Sequence, residues 1–296
     1  MQFRTNLLSI TALLPLLPLT TAWWKPPANL SWQIVLNGSL VPFANMTVID
    51  GDLFDTPANV WSDLRKAGHI PLCYFSAGSA ENWRDDYKDF AAEDMGSTLE
   101  HWEDEKWLNV KSKKVRKIMQ KRMDLAVEKG CVAIDPDNVD VYDNGGGGFS
   151  LTAPDSIEYV KWLVSEGHKR GLSVGLKNAA SIVGDVLADV DFQVNEECGQ
   201  IGECDLFRSF IEANKPVFGI EYVEGEPSRD TVDAICGNVE SRGFSTVIKH
   251  LDLKEWVVYC NGTIPFKPKE GARSGASKQL RTGGLLNRYD SVRRAL

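Results

Sequence analysis

The chain has 296 residues, 43% of them hydrophobic and 25% charged, with a net charge of −8. That length suits one large domain with a substantial core, and the acidic balance argues against nucleic acid as a partner. The charge is uneven. Eight Lys/Arg and two Asp/Glu after Cys260 give a tail of +6, which leaves −14 on residues 1–260. An acidic body of this kind suits a cationic partner.

The first segment reads as a leader. Arg4 precedes an apolar run from Leu7 to Leu19, and Thr20-Thr21-Ala22 supplies small residues. The pattern predicts a secretory signal peptide over 1–22. The run is too short for a membrane anchor and is broken by Pro15 and Pro18, and no later segment is long and apolar enough to span a bilayer. Tripeptides at Asn29, Asn37, Asn45 and Asn261 fit N-glycosylation. Six cysteines, an even number in an exported chain, argue for disulfides; the chain has no CxxC and its four histidines are scattered, so zinc is disfavoured. Cys198 and Cys204 lie close enough in sequence to pair locally. Cys236 with Cys260 and Cys73 with Cys131 complete one set among the roughly 15 pairings that six cysteines allow.

After a Pro-containing lead-in from Trp23, short apolar and β-branched runs predict eight strands. They cover Trp32–Leu36, Thr47–Leu53, Ile70–Ser76, Val132–Asp137, Ser173–Lys177, Phe192–Glu196, Pro216–Tyr222 and Ser245–His250. Helical spacing separates most of them. Val115, Ile118, Met119, Met123 and Ala126 form one helix face, ended by Lys129-Gly130; a second helix opens at Thr152-Ala-Pro-Asp155. Leu206, Phe207, Phe210 and Ile211 predict a third. Strands alternating with helices imply parallel βαβ units, and carboxylates at several strand ends suggest a single (β/α)8 TIM barrel over 23–260. An open doubly wound sheet would show a glycine-rich nucleotide loop after its first strand. Asn37-Gly-Ser39 is not one, and Gly145–Gly148 follows an acidic loop and reads as a turn. Residues 261–296 lose the pattern and read as a basic, disordered tail.

The most informative stretch is Cys131-Val-Ala-Ile-Asp-Pro-Asp-Asn-Val-Asp140. An apolar run delivers Asp135, Asp137 and Asp140 to a strand end. Such carboxylates repel one another and resist leaving water, so the strand should open into a polar cleft. With Val132 and Ile134 facing the helices, Ala133, Asp135 and Asp137 face the barrel axis. Asn195 and Glu196 close a strand further round. Phe192 and Val194 share the parity of Glu196, so this strand does not alternate cleanly between apolar and polar, and Glu196 is placed by its end position alone. Two carboxyls across a sugar-sized cleft are what glycoside hydrolysis requires: one protonates the leaving oxygen, and the other attacks the anomeric carbon or activates water. Turn hydrogen bonds or a structural cation are the bland reading of the same aspartates. Asp50, Asp52, Tyr74, Ser76, Lys177 and Glu221 stand at other strand ends. Lys177 is within reach of Asp135 or Asp137 across neighbouring strands.

Taken together, Asp50-Gly-Asp-Leu-Phe-Asp-Thr56, Cys73-Tyr-Phe-Ser-Ala-Gly-Ser79, Trp83-Arg84, Asp135-Pro-Asp-Asn-Val-Asp140, Gly175-Leu-Lys-Asn178, Val194-Asn-Glu-Glu-Cys198 and Glu221-Tyr222 resemble glycoside hydrolase family 114. The resemblance runs from about Trp32 to His250. It implies a secreted endo-α-1,4-polygalactosaminidase with a (β/α)8 barrel that needs no cofactor or metal and hydrolyses a cationic, galactosamine-containing polysaccharide; a monomer is expected. The family's catalytic carboxylates fall on Asp137 and Glu196, with Asp135 as the alternative aspartate. Asp50, Asp52, Asp140 and Glu221 are then candidate ammonium partners, and Tyr74, Ser76, Lys177 and Asn195 further substrate contacts. Carboxyl separation decides the stereochemistry: about 5–5.5 Å for retention, about 6.5–9.5 Å for inversion. The rival readings are a non-catalytic polysaccharide-binding barrel and a metal-dependent hydrolase using Asp135, Asp137 and Asp140.

Overall fold

The structure, a computed structural model, describes residues 22–260. The leader up to residue 21, the Asn261 tripeptide and the basic tail over 261–296 lie outside the described residues. The strands in chain order are β1 (Trp32–Val35), β2 (Val48–Asp52), β3 (Ile70–Ser76), β4 (Ser79–Glu81), β5 (Met95–Leu99), β6 (Trp102–Leu108), β7 (Ala133–Asp137), β8 (Ser173–Lys177), β9 (Phe192–Glu196), β10 (Val217–Tyr222), β11 (Ser245–Lys249) and β12 (Val258–Tyr259). The helices are α1 (Ala58–Lys66), α2 (Lys113–Lys129), α3 (Ala153–Lys169), α4 (Val183–Val186), α5 (Cys198–Ile201), α6 (Arg208–Glu212) and α7 (Arg229–Cys236).

All eight predicted strands pair in sequence order as a curled parallel sheet, β1-β2-β3-β7-β8-β9-β10-β11, and β12 adds antiparallel to β11. The sheet closes on itself where the Trp32 indole donates to the Ser245 carbonyl (2.6 Å) and the Leu36 N–H donates to the Leu253 carbonyl (3.0 Å). The result is a (β/α)8 barrel with an irregular helical layer. Among the described residues no helix separates β1 from β2, and β12 follows β11 where an eighth helix would stand.

Strand alternation divides the apolar residues between two cores. Trp32, Ile34, Val48, Leu72, Ala133, Phe192, Val194, Phe218, Ile220 and Val247 fill the barrel, while Ile49, Phe75, Ile134, Val174, Leu176 and Val217 pack under the helices. The irregular alternation expected of β9 is thereby corrected. Phe192, Val194 and Glu196 all point inward, because the lower barrel is a packed apolar core and only its mouth is polar. Gly175 makes this possible: a Cβ there would meet the Phe192 ring at 2.3 Å.

The predicted helix signals hold for α2, which Ser112 opens by accepting from the Lys114 N–H and Gly130 ends at φ 86°. They hold also for α3, where the Thr152 N–H donates to Asp155 Oδ2 (2.9 Å). The third predicted helix is broken instead into a 3-10 turn, Cys204–Phe207, and α6; Leu206 is 48% exposed, while Phe207 and Phe210 are buried. The Cys198–Cys204 disulfide fixes that entry. Cys73–Cys131 and Cys236–Cys260 also form, so the pairing set is the one expected. Asn29 and Asn45 are exposed on loops ahead of β1 and β2, and Asn37 is half-buried.

One element has no sequence forecast. Between β3 and α2 the chain inserts a three-stranded antiparallel sheet, in the order β4-β6-β5. Gly145–Gly148 packs against it with positive φ at all four glycines, and a Cβ on Gly147 would meet Trp107 at 2.6 Å. Gly146 and Gly147 are tightly packed, since a Cβ on Gly146 would also lie 2.9 Å from the Leu151 nitrogen.

Gly175→Ala should therefore cost about 1–3 kcal/mol through overpacking against Phe192. Gly184→Ala, in α4 with nothing within 4 Å of its Cβ, should be neutral or stabilising by up to about 1 kcal/mol. Urea melts of the two variants check the pair, and equal effects would contradict the packing described.

Candidate active site

The C-terminal ends of β7, β8 and β9 bring Asp137, Lys177 and Glu196 to one point. Each is the last residue of its strand and each faces inward. Since β8 lies between β7 and β9, Lys177 stands between the two carboxylates. Its ammonium is 3.2 Å from Asp137 Oδ2 and 3.3 Å from Glu196 Oε2. As two sides of a triangle, these distances keep the two oxygens within about 6.5 Å of each other. The Lys177 side chain is 3% exposed, while those of Asp137 and Glu196 are 18% and 16% exposed.

Each carboxylate holds a matched set of donors. Asp137 accepts from the Tyr74 hydroxyl (3.0 Å) and from the Asn138 N–H (2.7 Å). Glu196 accepts from the Tyr222 hydroxyl (2.5 Å) and from Asn178 Nδ2 (3.0 Å). Burial works against the Lys177 charge, but Asp137, Glu196 and Asp135 outweigh it and hold the ammonium well above the ordinary lysine value. Burial, then Asp137, pushes the Tyr74 hydroxyl well above the usual tyrosine range. The backbone is unusual at the same point. Asn138 (φ 60°), Asn178 (φ 48°), Ala179 (φ 55°) and Glu197 (φ 61°) directly follow the three strand ends in the left-handed region. Strain of about 1 kcal/mol or more per residue, gathered in this way, is typical of functional sites.

One layer deeper lie Asp50 and Asp135, both fully buried, with no hydrogen-bond partner for any of their four carboxyl oxygens. Burial is the main reason that Asp135 is raised to about 7; Lys177 opposes it, and Asp137 and Glu196 add to it. Burial and the neighbouring Asp135 hold Asp50 well above the carboxylate range. At the mouth, Asp140 is raised to about 6 by burial and then by Asp137.

Four expected contacts are engaged elsewhere. Glu221 points outward from β10 and accepts from the Gly199 N–H (2.8 Å); its neighbour Tyr222 is the residue that faces the barrel. Asn195 likewise points outward, where its Oδ1 accepts from the Cys198 N–H (3.3 Å). On both strands strict alternation puts the adjacent residue inward. Asp52 is engaged by Arg84 through both oxygens (3.0 and 2.5 Å) and caps the Phe54 and Asp55 N–H groups. Ser76 is fully buried and bonded to Ser79 (2.6 Å). Tyr222, Asn138 and Asn178 are the site residues that the sequence reading did not single out. The inward parity of Phe218 and Ile220 was the signal for Tyr222. A separate groove of about 700 Å3, lined in part by Trp23, Lys25, His168 and Asp191, opens at the opposite end of the barrel from these strand ends.

The buried acids predict a pH effect with a definite sign. Between its unfolded value of about 3.9 and its folded value of about 7, Asp135 holds a proton only in the folded chain. Stability therefore falls as pH rises through that window. Thermal unfolding between pH 4.5 and 7, as approximate bounds of the window, should show a shallower decline for Asp135→Asn than for the wild-type chain. Parallel slopes would rule out a buried neutral acid at this position.

Comparison with known proteins agrees with this geometry. The sequence profile of glycoside-hydrolase family GH114 matches residues 16–265. The crystal structure of Aspergillus fumigatus Ega3 in complex with galactosamine is 42% identical, with a TM-score of 0.78 over 81% of this chain and 99% of that one. The glycoside hydrolase domain of PelA from Pseudomonas aeruginosa shares the fold at 12% identity, with a TM-score of 0.63 over 79% of this chain and 98% of that one. Among curated proteins no sequence matches. With a barrel whose mouth carries two carboxylates across one lysine, and a family match spanning most of its length, the chain belongs to glycoside hydrolase family 114.

Proposed function

We propose that this protein is an exported, endo-acting hydrolase of α-1,4-linked galactosamine polymers, with Asp137 as nucleophile and Glu196 as acid/base. The observation that carries the reading is the pair of carboxylates held within about 6.5 Å by one buried ammonium. The likeness to Ega3, solved with galactosamine, supports the substrate class. Three disulfides and the apolar leader support export.

The spacing suits a retaining mechanism better than an inverting one, which must leave room for a water between carboxyls about 6.5–9.5 Å apart. Glu196, on the longer side chain, delivers its proton to the glycosidic oxygen as the C1–O bond breaks. Asp137 Oδ attacks C1 from the other face, and a glycosyl ester forms. Glu196, now ionised, takes a proton from water, whose oxygen displaces Asp137 from C1. Lys177, Tyr74 and the Asn138 N–H all bond Asp137 and orient its carboxylate for attack on C1. Asp135, deeper and fully buried, is the less accessible of the two aspartates.

The charge balance fits a cationic sugar. One lysine faces Asp137 and Glu196, with Asp140 beside them. A binding-only barrel would need no such pair. A divalent ion among Asp135, Asp137 and Asp140 would have to share its site with the Lys177 ammonium, which disfavours the metal-dependent reading.

Incubation with fully deacetylated and fully acetylated α-1,4-galactosaminan, followed by mass spectrometry, is the test. Cleavage of the deacetylated polymer is expected, and preference for the acetylated one would overturn the electrostatic reading. Asp137→Asn and Glu196→Gln should each lower kcat by about a thousandfold, and wild-type release of reducing ends no faster than theirs would leave only a binding role. Proton NMR of the first product should show the α anomer, whereas the β anomer would indicate inversion.

A further inference from the structure

The inserted sheet between β3 and α2 has no assigned role, yet it reaches the proposed nucleophile through side chains. The turn from β3 to β4 lies directly against the 137–138 peptide. The Ala77 and Gly78 N–H groups donate to the Asp137 carbonyl (2.8 and 3.1 Å), and a Cβ on Gly78 would sit 1.6 Å from the Asn138 carbonyl oxygen. Asn138 holds φ 60° and donates its N–H to Asp137 Oδ1. Its side-chain amide donates to Ser76 Oγ (2.9 Å).

From there a hydrogen-bond chain leads out of the barrel. Ser76 Oγ lies 2.6 Å from Ser79 Oγ, and Ser79 Oγ donates to Glu105 Oε2 (2.5 Å) on β6. Ser76 and Ser79 are fully buried, and Glu105 is 8% exposed. Proton counting fixes the direction. Ser76 Oγ accepts from Asn138 Nδ2 and from the Ser79 N–H (3.1 Å), so its single proton goes to Ser79 Oγ. The single Ser79 proton then goes to Glu105. The chain must end on an acceptor, and Glu105 supplies it. Without that acceptor Ser79 is free to turn its proton back toward Ser76, and the Ser76 lone pairs that hold Asn138 are no longer reserved.

We propose that Glu105, acting through Ser79 and Ser76, is a positioning residue that locks Asn138 in its left-handed conformation and so fixes the Asp137 carboxylate for attack. The inference rests on Asp137 being the nucleophile, but the lock itself is a property of the fold. Glu105 touches neither the barrel axis nor the reacting atoms; its register partner on β4 is Glu81.

The test compares the full chain with Ser79→Ala, Glu105→Leu and Glu105→Gln in two measurements. In turnover of deacetylated galactosaminan, Ser79→Ala and Glu105→Leu should lose about tenfold or more in kcat with KM within about twofold. Glu105→Gln, whose amide oxygen still accepts from Ser79, should stay within about threefold of wild type. In amide hydrogen exchange, Ser79→Ala and Glu105→Leu should speed exchange at Asn138 by about tenfold or more while Ile134, in the middle of β7, keeps its protection. Unchanged kcat and unchanged Asn138 exchange in both variants would overturn the proposal, as would a Glu105→Gln as impaired as Glu105→Leu. If Glu105→Leu does not fold, Ser79→Ala, which removes one oxygen, decides. If the wild-type protein cuts no galactosamine polymer, the functional reading fails, and the exchange data still decide the lock.

Discussion

A single buried ammonium organises the mouth of this barrel. Two carboxylates within about 6.5 Å of each other repel strongly once water is thinned. Lys177 offsets that repulsion, and the carboxylates in turn keep it charged despite its burial. The arrangement also governs the layer below. Asp135 and Asp50 lie within range of the same lysine, but the lysine is already shared by two rim carboxylates, and burial wins: both deeper acids are driven toward their neutral forms. One positive charge is therefore held by two carboxylates at the rim, above two acids that burial drives toward neutrality. Buried charges of this sort stabilise little by themselves. What they fix is where charge can sit.

Much of this was legible in the sequence, and the reason is strand parity. Ala133, Asp135 and Asp137 share one face of β7 because side chains alternate, and a run of apolar residues on the opposite face shows which side meets the helices. The same rule was available for Tyr222, two residues beyond Ile220. It was passed over in favour of Glu221, since a carboxylate looks more functional than a phenol. β9 shows the opposite error. Phe192 and Val194 share the parity of Glu196, which reads as irregular when one face of a strand is taken to be polar throughout. A barrel of eight strands is packed with side chains, and polarity begins at the rim.

What escaped the sequence escaped for physical reasons. The inserted sheet consists of short strands, and β6 carries Glu103, Asp104, Glu105 and Lys106, residues with weak strand preference. Its register depends on partners brought in by the fold, Trp107 opposite Ser79 and Lys106 opposite Ala80. Glu105 likewise reads as one more surface acid. Only in the folded chain is it buried, with its carboxyl raised to about 8 by desolvation and then by Glu81. The third helix is shortened because its first turn is tied by Cys198–Cys204, a constraint that helical periodicity does not encode.

The proposed substrate adds a last step to the charge argument. In the free protein the lysine bonds both rim carboxylates at once. A galactosamine unit carries its own ammonium. Bound near Asp140 or Asp137, it would supply the neutralisation that Lys177 alone provides in the free site. It would also displace the water that screens these charges. An acetylated unit is neutral and supplies no such charge. On the galactosamine reading, substrate charge is thus part of the site's electrostatics as well as a recognition feature, and selectivity for the free amine follows from the same ammonium-sized deficit that places Lys177 between Asp137 and Glu196.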